Sequence, residues 1–134
     1  MIATKQWVKN LLSKVLKKTV NNYSLEEQRI GTWIDGKPLY QKTIDFGSLP
    51  NASQKSVAHN IENADSIWIN DGYVFNATTN TYYPLFLPST EKAASSWYCN
   101  VDRTIVRFNV GSDRTAFNAI ITLRYTKTTD TATI

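Results

Sequence analysis

An all-β fold, an antiparallel β-sandwich of jelly-roll character preceded by one short N-terminal α-helix, is predicted for this 134-residue chain by three observations. Beyond Asn22, apolar residues come in short runs rich in Ile, Val, Thr, Tyr, Phe and Trp, the types that suit a pleated, half-buried surface. Gly, Pro, Asn, Asp and Ser punctuate those runs at the close spacing of turns in a sandwich or barrel. Helical apolar spacing occurs only ahead of them, and strand runs without intervening helices favour antiparallel order.

The first element is the helix, within a segment 1–22 that precedes a sandwich domain 23–134. Thr4 caps it, and Val8, Leu11, Leu12, Val15 and Thr19 follow at spacings of three and four, sharing one face. The first twenty residues hold five lysines and no acid, and the lysines take the other side. A helix this short is marginal alone in water, where roughly 12–15 residues are needed even by good formers, so it requires a partner surface. Copies of itself, a larger particle, a membrane surface and its own domain all qualify. Val8, Leu11, Leu12 and Val15 are the candidate oligomer or docking positions. A heptad reading spans barely two repeats, fewer than a coiled coil needs. The thin apolar face makes a weak membrane anchor even with Trp7, and membrane insertion is not expected.

Strands are predicted at 28–34, 38–46, 54–61, 65–70, 72–76, 81–87, 95–100, 103–110 and 116–126. Turns fall at Asp35-Gly36, Leu49-Pro50-Asn51, Asp71-Gly72, Asn76 to Asn80 and Gly111-Ser112-Asp113. Alternation is clearest in Val106, Phe108 and Val110 against Arg107 and Asn109, and in Ile121, Leu123 and Tyr125 against Thr122, Arg124 and Thr126. Each set has one apolar and one polar face.

Hydrophobic residues make up 42 % of the chain and aromatics 12 %, enough for one core without staples. The formal charge of +4 is local to the helix, because residues 21–134 carry ten Lys or Arg against eleven Asp or Glu. A nearly neutral domain argues against nucleic-acid binding. Cys99 is the only cysteine, so no intrachain disulfide, zinc site or redox motif can be built from it, and a small core residue is expected. Lysines interrupt the N-terminus where a signal peptide needs an apolar stretch, so synthesis in a cytoplasm without an export address is expected.

Catalysis finds few materials here. His59 is the only imidazole, and it alternates with Val57 and Ile61, the pattern of a hydrogen-bonded structural histidine beside the core. Asp35, Asp45, Glu62, Asp65, Asp71, Glu91, Asp102 and Asp113 lie mostly at turns or strand ends, and no spacing selects two as a glycosidase pair. Among five glycines there is no phosphate loop or dinucleotide fingerprint. No enzyme, cofactor or metal is expected.

The stretch Tyr23-Ser24-Leu25-Glu26-Glu27-Gln28-Arg29-Ile30-Gly31-Thr32-Trp33-Ile34-Asp35-Gly36-Lys37-Pro38-Leu39-Tyr40-Gln41-Lys42-Thr43-Ile44 resembles a segment recurrent in bacteriophage virion proteins, the opening of a fibre or receptor-binding-type β domain. In that group a Leu-Pro turn follows, then a Lys-Ser-Val-Ala-His-like strand, then a Thr-Leu-Arg-Tyr-Thr-Lys-Thr ending. This chain has Ser48-Leu49-Pro50, Lys55-Ser56-Val57-Ala58-His59 and Thr122-Leu123-Arg124-Tyr125-Thr126-Lys127-Thr128, so the resemblance covers residues 23–128. Ala3-Thr4-Lys5-Gln6-Trp7-Val8 is similar to the Ala-Thr-Lys-x-Tyr-Val start of short helices in trimeric phage fibres, with Trp7 replacing the tyrosine.

The resemblance implies a homotrimer, partners among other virion proteins of capsid or tail, and a place in the virion. It weights the helix toward trimerisation or docking. A chain starting at Met with little ahead of the helix fits a complete short head fibre or capsid decoration better than the tip of a long tail fibre. Host surface glycan is the alternative partner. Aromatic faces suit sugar rings, and Tyr73, Tyr82, Tyr83 and Trp97, with Tyr98, are the candidate contacts, whereas Trp33 and Trp68 sit in apolar runs that point to burial.

Overall fold

The computed structural model describes residues 5, 6, 8–11, 23–88 and 95–132. The described residues 5, 6 and 8–11 are helical, with Gln6 Nε2 donating to Asn10 Oδ1 one turn on. Val8 and Leu11 are exposed there, while Leu12 and Val15 lie outside the described residues.

Eight strands follow: β1 (Gln28–Thr32), β2 (Pro38–Ser48), β3 (Gln54–Ala58), β4 (Ala64–Asn76), β5 (Thr81–Tyr83), β6 (Trp97–Val101), β7 (Ile105–Val110) and β8 (Phe117–Lys127). They form a five-stranded sheet of order β1-β2-β8-β4-β5 and a three-stranded sheet of order β3-β7-β6, with every pairing antiparallel. The chain changes sheet at β2–β3, β3–β4, β5–β6 and β7–β8, the interleaving that gives a sandwich its jelly-roll character.

The core is the alternation of β8 and β7 realised in space. Ala119, Ile121, Leu123 and Tyr125 from β8 join Ile44 and Phe46 from β2 and Val74 from β4, and meet Val106, Phe108 and Val110 of β7. Phe46 packs edge-on against Phe108 at 4.9 Å between ring centroids, which joins one sheet to the other. His59 is buried as expected. Its Nδ1 accepts from the Ile61 N–H at 3.1 Å, so the ring hydrogen sits on Nε2 and is donated to the Asp102 carbonyl at 2.9 Å. Cys99 is half-buried against the core, and burial pushes its thiol up to about 12.

The expected turn at Asp71-Gly72 is not a turn. The two strands anticipated on either side are one, β4, paired throughout to β8 with a bulge between Ile69 and Asp71. Gly72 takes φ +148°, and a Cβ there would lie 2.3 Å from the Ile120 carbonyl oxygen. Glycine therefore marks a close backbone approach within a strand. The expected strand 81–87 stops at Tyr83, because Pro84 has no N–H for the ladder, although Leu87 still bridges to Trp97. Strand β7 starts at Ile105 because the Asp102 carboxylate captures the Thr104 and Ile105 N–H groups.

Candidate functional site

Because β8 buries Ile121, Leu123 and Tyr125, alternation turns Ile120, Thr122 and Arg124 to the opposite, outer face of the five-stranded sheet. The bulge in β4 determines what joins them. It brings Asp71 opposite Thr122 and Tyr73 opposite Ile120, while Thr43 of β2 flanks Thr122 on the other side. Phe75 follows two residues on, with Tyr82 of β5 in register beside it. Tyr73 and Tyr82 meet edge-on at 5.3 Å, and Phe75 stacks on Tyr82 at 5.9 Å.

Tyr23 reaches over this face from just ahead of β1. Its hydroxyl donates to Asp71 Oδ2 at 2.5 Å, and the Thr43 N–H donates to the Ser24 carbonyl at 2.8 Å. The hydrogen bond to the Asp71 carboxylate, followed by that group's charge, raises the Tyr23 pKa and keeps the phenol a donor. Tyr23, Thr43, Asp71, Tyr73 and Thr122 line a cleft of about 410 Å3 that opens to solvent. Its wall is aromatic, its floor carries two hydroxyls 2.9 Å apart, and its rim carries a carboxylate.

Of the five aromatics expected to meet glycan, Tyr73 and Tyr82 are exposed on this face, and Tyr98 is exposed on β6 of the other sheet. Tyr83 and Trp97 are not, and the expectation for them is corrected. Tyr83 follows Tyr82 on β5 and so points inward, 5.5 Å from Trp97 and 5.7 Å from Phe117. Trp97 is 1 % exposed, pairs with Val110, and donates its indole N–H to the Pro84 carbonyl. The expected burial of Trp33 and Trp68 is also corrected. They are half-buried, packed on each other at 4.5 Å, because Ile67 and Ile69 take the core side of β4 and leave Trp68 outside beside Arg124. Tyr23, Thr43, Asp71, Phe75 and Thr122 were not anticipated as a group. Had β4 been read as one bulged strand, Asp71, Tyr73 and Phe75 would have fallen on one face.

A second recess of about 250 Å3, lined by Glu27, Lys42, Glu62 and Lys127 among others, is occupied by structural bonds. Glu27 accepts from the Tyr125 hydroxyl at 2.6 Å and from Lys127 at 2.9 Å, and Lys42 donates to the His59 carbonyl. Beside it the Tyr40 hydroxyl donates to Asp130, which pushes Tyr40 up to about 12, and Lys127 lies over the Tyr40 ring. Asp35, Asp45, Asp102 and Asp113 each accept a backbone N–H two residues on. Among the described residues no three His, Cys, Asp or Glu side chains converge on a metal position.

The fold and this face define an antiparallel β-sandwich that displays an aromatic and hydroxyl-bearing surface beside an open cleft. No family model, curated protein or solved structure matches the chain.

Proposed function

We infer that this chain is a non-enzymatic structural component of a bacteriophage virion, a homotrimeric fibre or a capsid or tail decoration module whose sandwich projects from the particle. The resemblance of residues 23–128 to phage fibre-type domains supports the setting. The observation that carries the non-enzymatic part is where the reactive side chains are spent. Both nitrogens of His59 are committed to backbone groups, and four aspartates close turns. What remains displayed is surface. Trimerisation has a physical motive, since β1, β3, β5 and β6 are sheet edges among the described strands and neighbouring copies would cover them. Phage assembled with a chain lacking residues 1–20 is expected to lose the protein from purified particles; normal incorporation would count against the helix as anchor.

The second reading is a glycan-binding receptor-recognition domain, and the contiguous Tyr73, Phe75 and Tyr82 cluster favours it, because flat rings with polar edges suit sugar faces. Soluble protein should then be retained on host cells or wall polysaccharide, and changing Tyr82 to Ala should weaken retention. Absence of retention on the host defeats this reading.

A further inference from the structure

We propose that the cleft between Tyr23, Asp71 and Tyr73 is a binding site for one neutral, hydroxyl-rich pyranose ring. This rests on the glycan-attachment reading and deepens it, by assigning a particular cleft and a ligand charge. Three features of the cleft converge. Tyr73 supplies an exposed aromatic wall, held by Tyr82 at 5.3 Å and Phe75 at 5.9 Å, against which the C–H face of a sugar can lie. The Asp71 carboxylate accepts one bond from Tyr23 through Oδ2, and a carboxylate has about four lone-pair sites, so it retains capacity for ligand hydroxyl donors.

The third feature is an arithmetic of hydrogens. Thr43 and Thr122 share one hydrogen bond, oxygen to oxygen, at 2.9 Å. Two hydroxyls bring two donor hydrogens, and one is used between them. Among the described residues, no acceptor takes the other, and since either hydroxyl can be the donor, that hydrogen sits on buried Thr122 or on half-buried Thr43. A hydroxyl with a spare hydrogen beside a carboxylate with spare lone pairs matches the paired accepting and donating character of a sugar hydroxyl. A volume of about 410 Å3 is at the lower end of small-molecule sites, which suits one ring rather than a long chain. The Asp71 charge, which outweighs the opposing charge of Arg124 at the Tyr23 hydroxyl, selects against sugars bearing carboxylate or phosphate.

The test is protein-detected NMR on the full chain, titrated in turn with methyl glucoside, methyl galactoside and N-acetylglucosamine, with glucuronate as the anionic counterpart. At least one neutral probe is expected to give saturable shifts centred on Thr43, Asp71, Gly72, Tyr73 and Thr122, with glucuronate weaker. Thr122→Val, which keeps the side-chain shape and removes the hydroxyl, and Asp71→Asn should each weaken binding by about tenfold. Wild-type-like spectra elsewhere show that the variants fold. Shifts with none of the neutral probes, shifts away from the cleft, or cleft resonances that move with protein concentration instead of sugar overturn the proposal, the last by making a second copy the occupant. If wall polysaccharide is retained, retention is lost on changing Tyr82 to Ala, and both cleft variants bind normally, the cleft assignment fails while the attachment reading stands.

Discussion

Gly72 carries two requirements at once. Its φ of +148° suits glycine, and an added Cβ would meet the Ile120 backbone oxygen, which cannot move without parting β4 from the central strand. Gly72→Ala is therefore expected to destabilise the fold by roughly 2–4 kcal/mol, measured as a lowered urea midpoint. Asp102 sets a pH dependence. The backbone N–H groups of Thr104 and Ile105, then the Thr104 hydroxyl, hold its carboxyl at about 2, below the ordinary 3.8. The folded chain thus favours the charged form, so the stabilisation is fully present above 3.8 and is lost as pH falls from there toward 2. Asp65 is lowered by Lys37 and Asp113 by Thr115, in the same direction. The urea midpoint should be insensitive to these groups at neutral pH and decline between about pH 4 and pH 2, and Asp102→Asn should make that decline shallower. A decline of equal steepness in the variant would remove Asp102 as a contributor. At this scale His59 was legible, because one imidazole alternating with two aliphatics leaves few roles. Tyr83 and Trp97 were not, because aromatic content alone does not say which side of a strand faces the core.

Strand β8 is the element on which the fold depends, since β2 pairs along one edge and β4 along the other. Leu123, fully buried at its centre, lies opposite Lys42 and Ile69. Leu123→Ala should cost about 2–5 kcal/mol, from lost burial plus the cavity left between packed sheets. Ile34, 90 % exposed in the turn after β1, is the control, and Ile34→Ala should stay within about 0.5 kcal/mol by the same urea measurement. The alternation in β7 and β8 was readable because each strand has one apolar and one polar face, a periodicity written in the residues themselves, although the expected wetting of the polar face fails on β8, where Thr122 and Thr126 are buried too. The bulge in β4 was not, since Asp-Gly carries the same local signal in a hairpin turn and in a strand that approaches its neighbour closely. Pairing along the whole of β8 decides between them, and pairing is non-local.

For the whole molecule, the first quantity to measure is solution mass, by light scattering on the full chain beside one lacking residues 1–20. A trimer that falls to monomer makes the helix the assembly element. Trimers in both make the sandwich domains self-associating and free the basic helix to serve as an anchor, whereas two monomers remove the physical support for a fibre. The amino-acid sequence by itself determined the all-β class, the antiparallel order, most strand positions and the side of β7 and β8 that faces the core, because these follow from composition, turn chemistry and a two-residue period. Only the tertiary structure decided the division into five and three strands, the continuity of β4, and the meeting of Tyr23, Thr43, Asp71 and Tyr73 around one cleft. Tyr23, Thr43 and the Asp71–Tyr73 pair stand far apart in the chain, and they converge only because β8 lies between β2 and β4, a choice made by the burial of both faces of the core together and by no single segment.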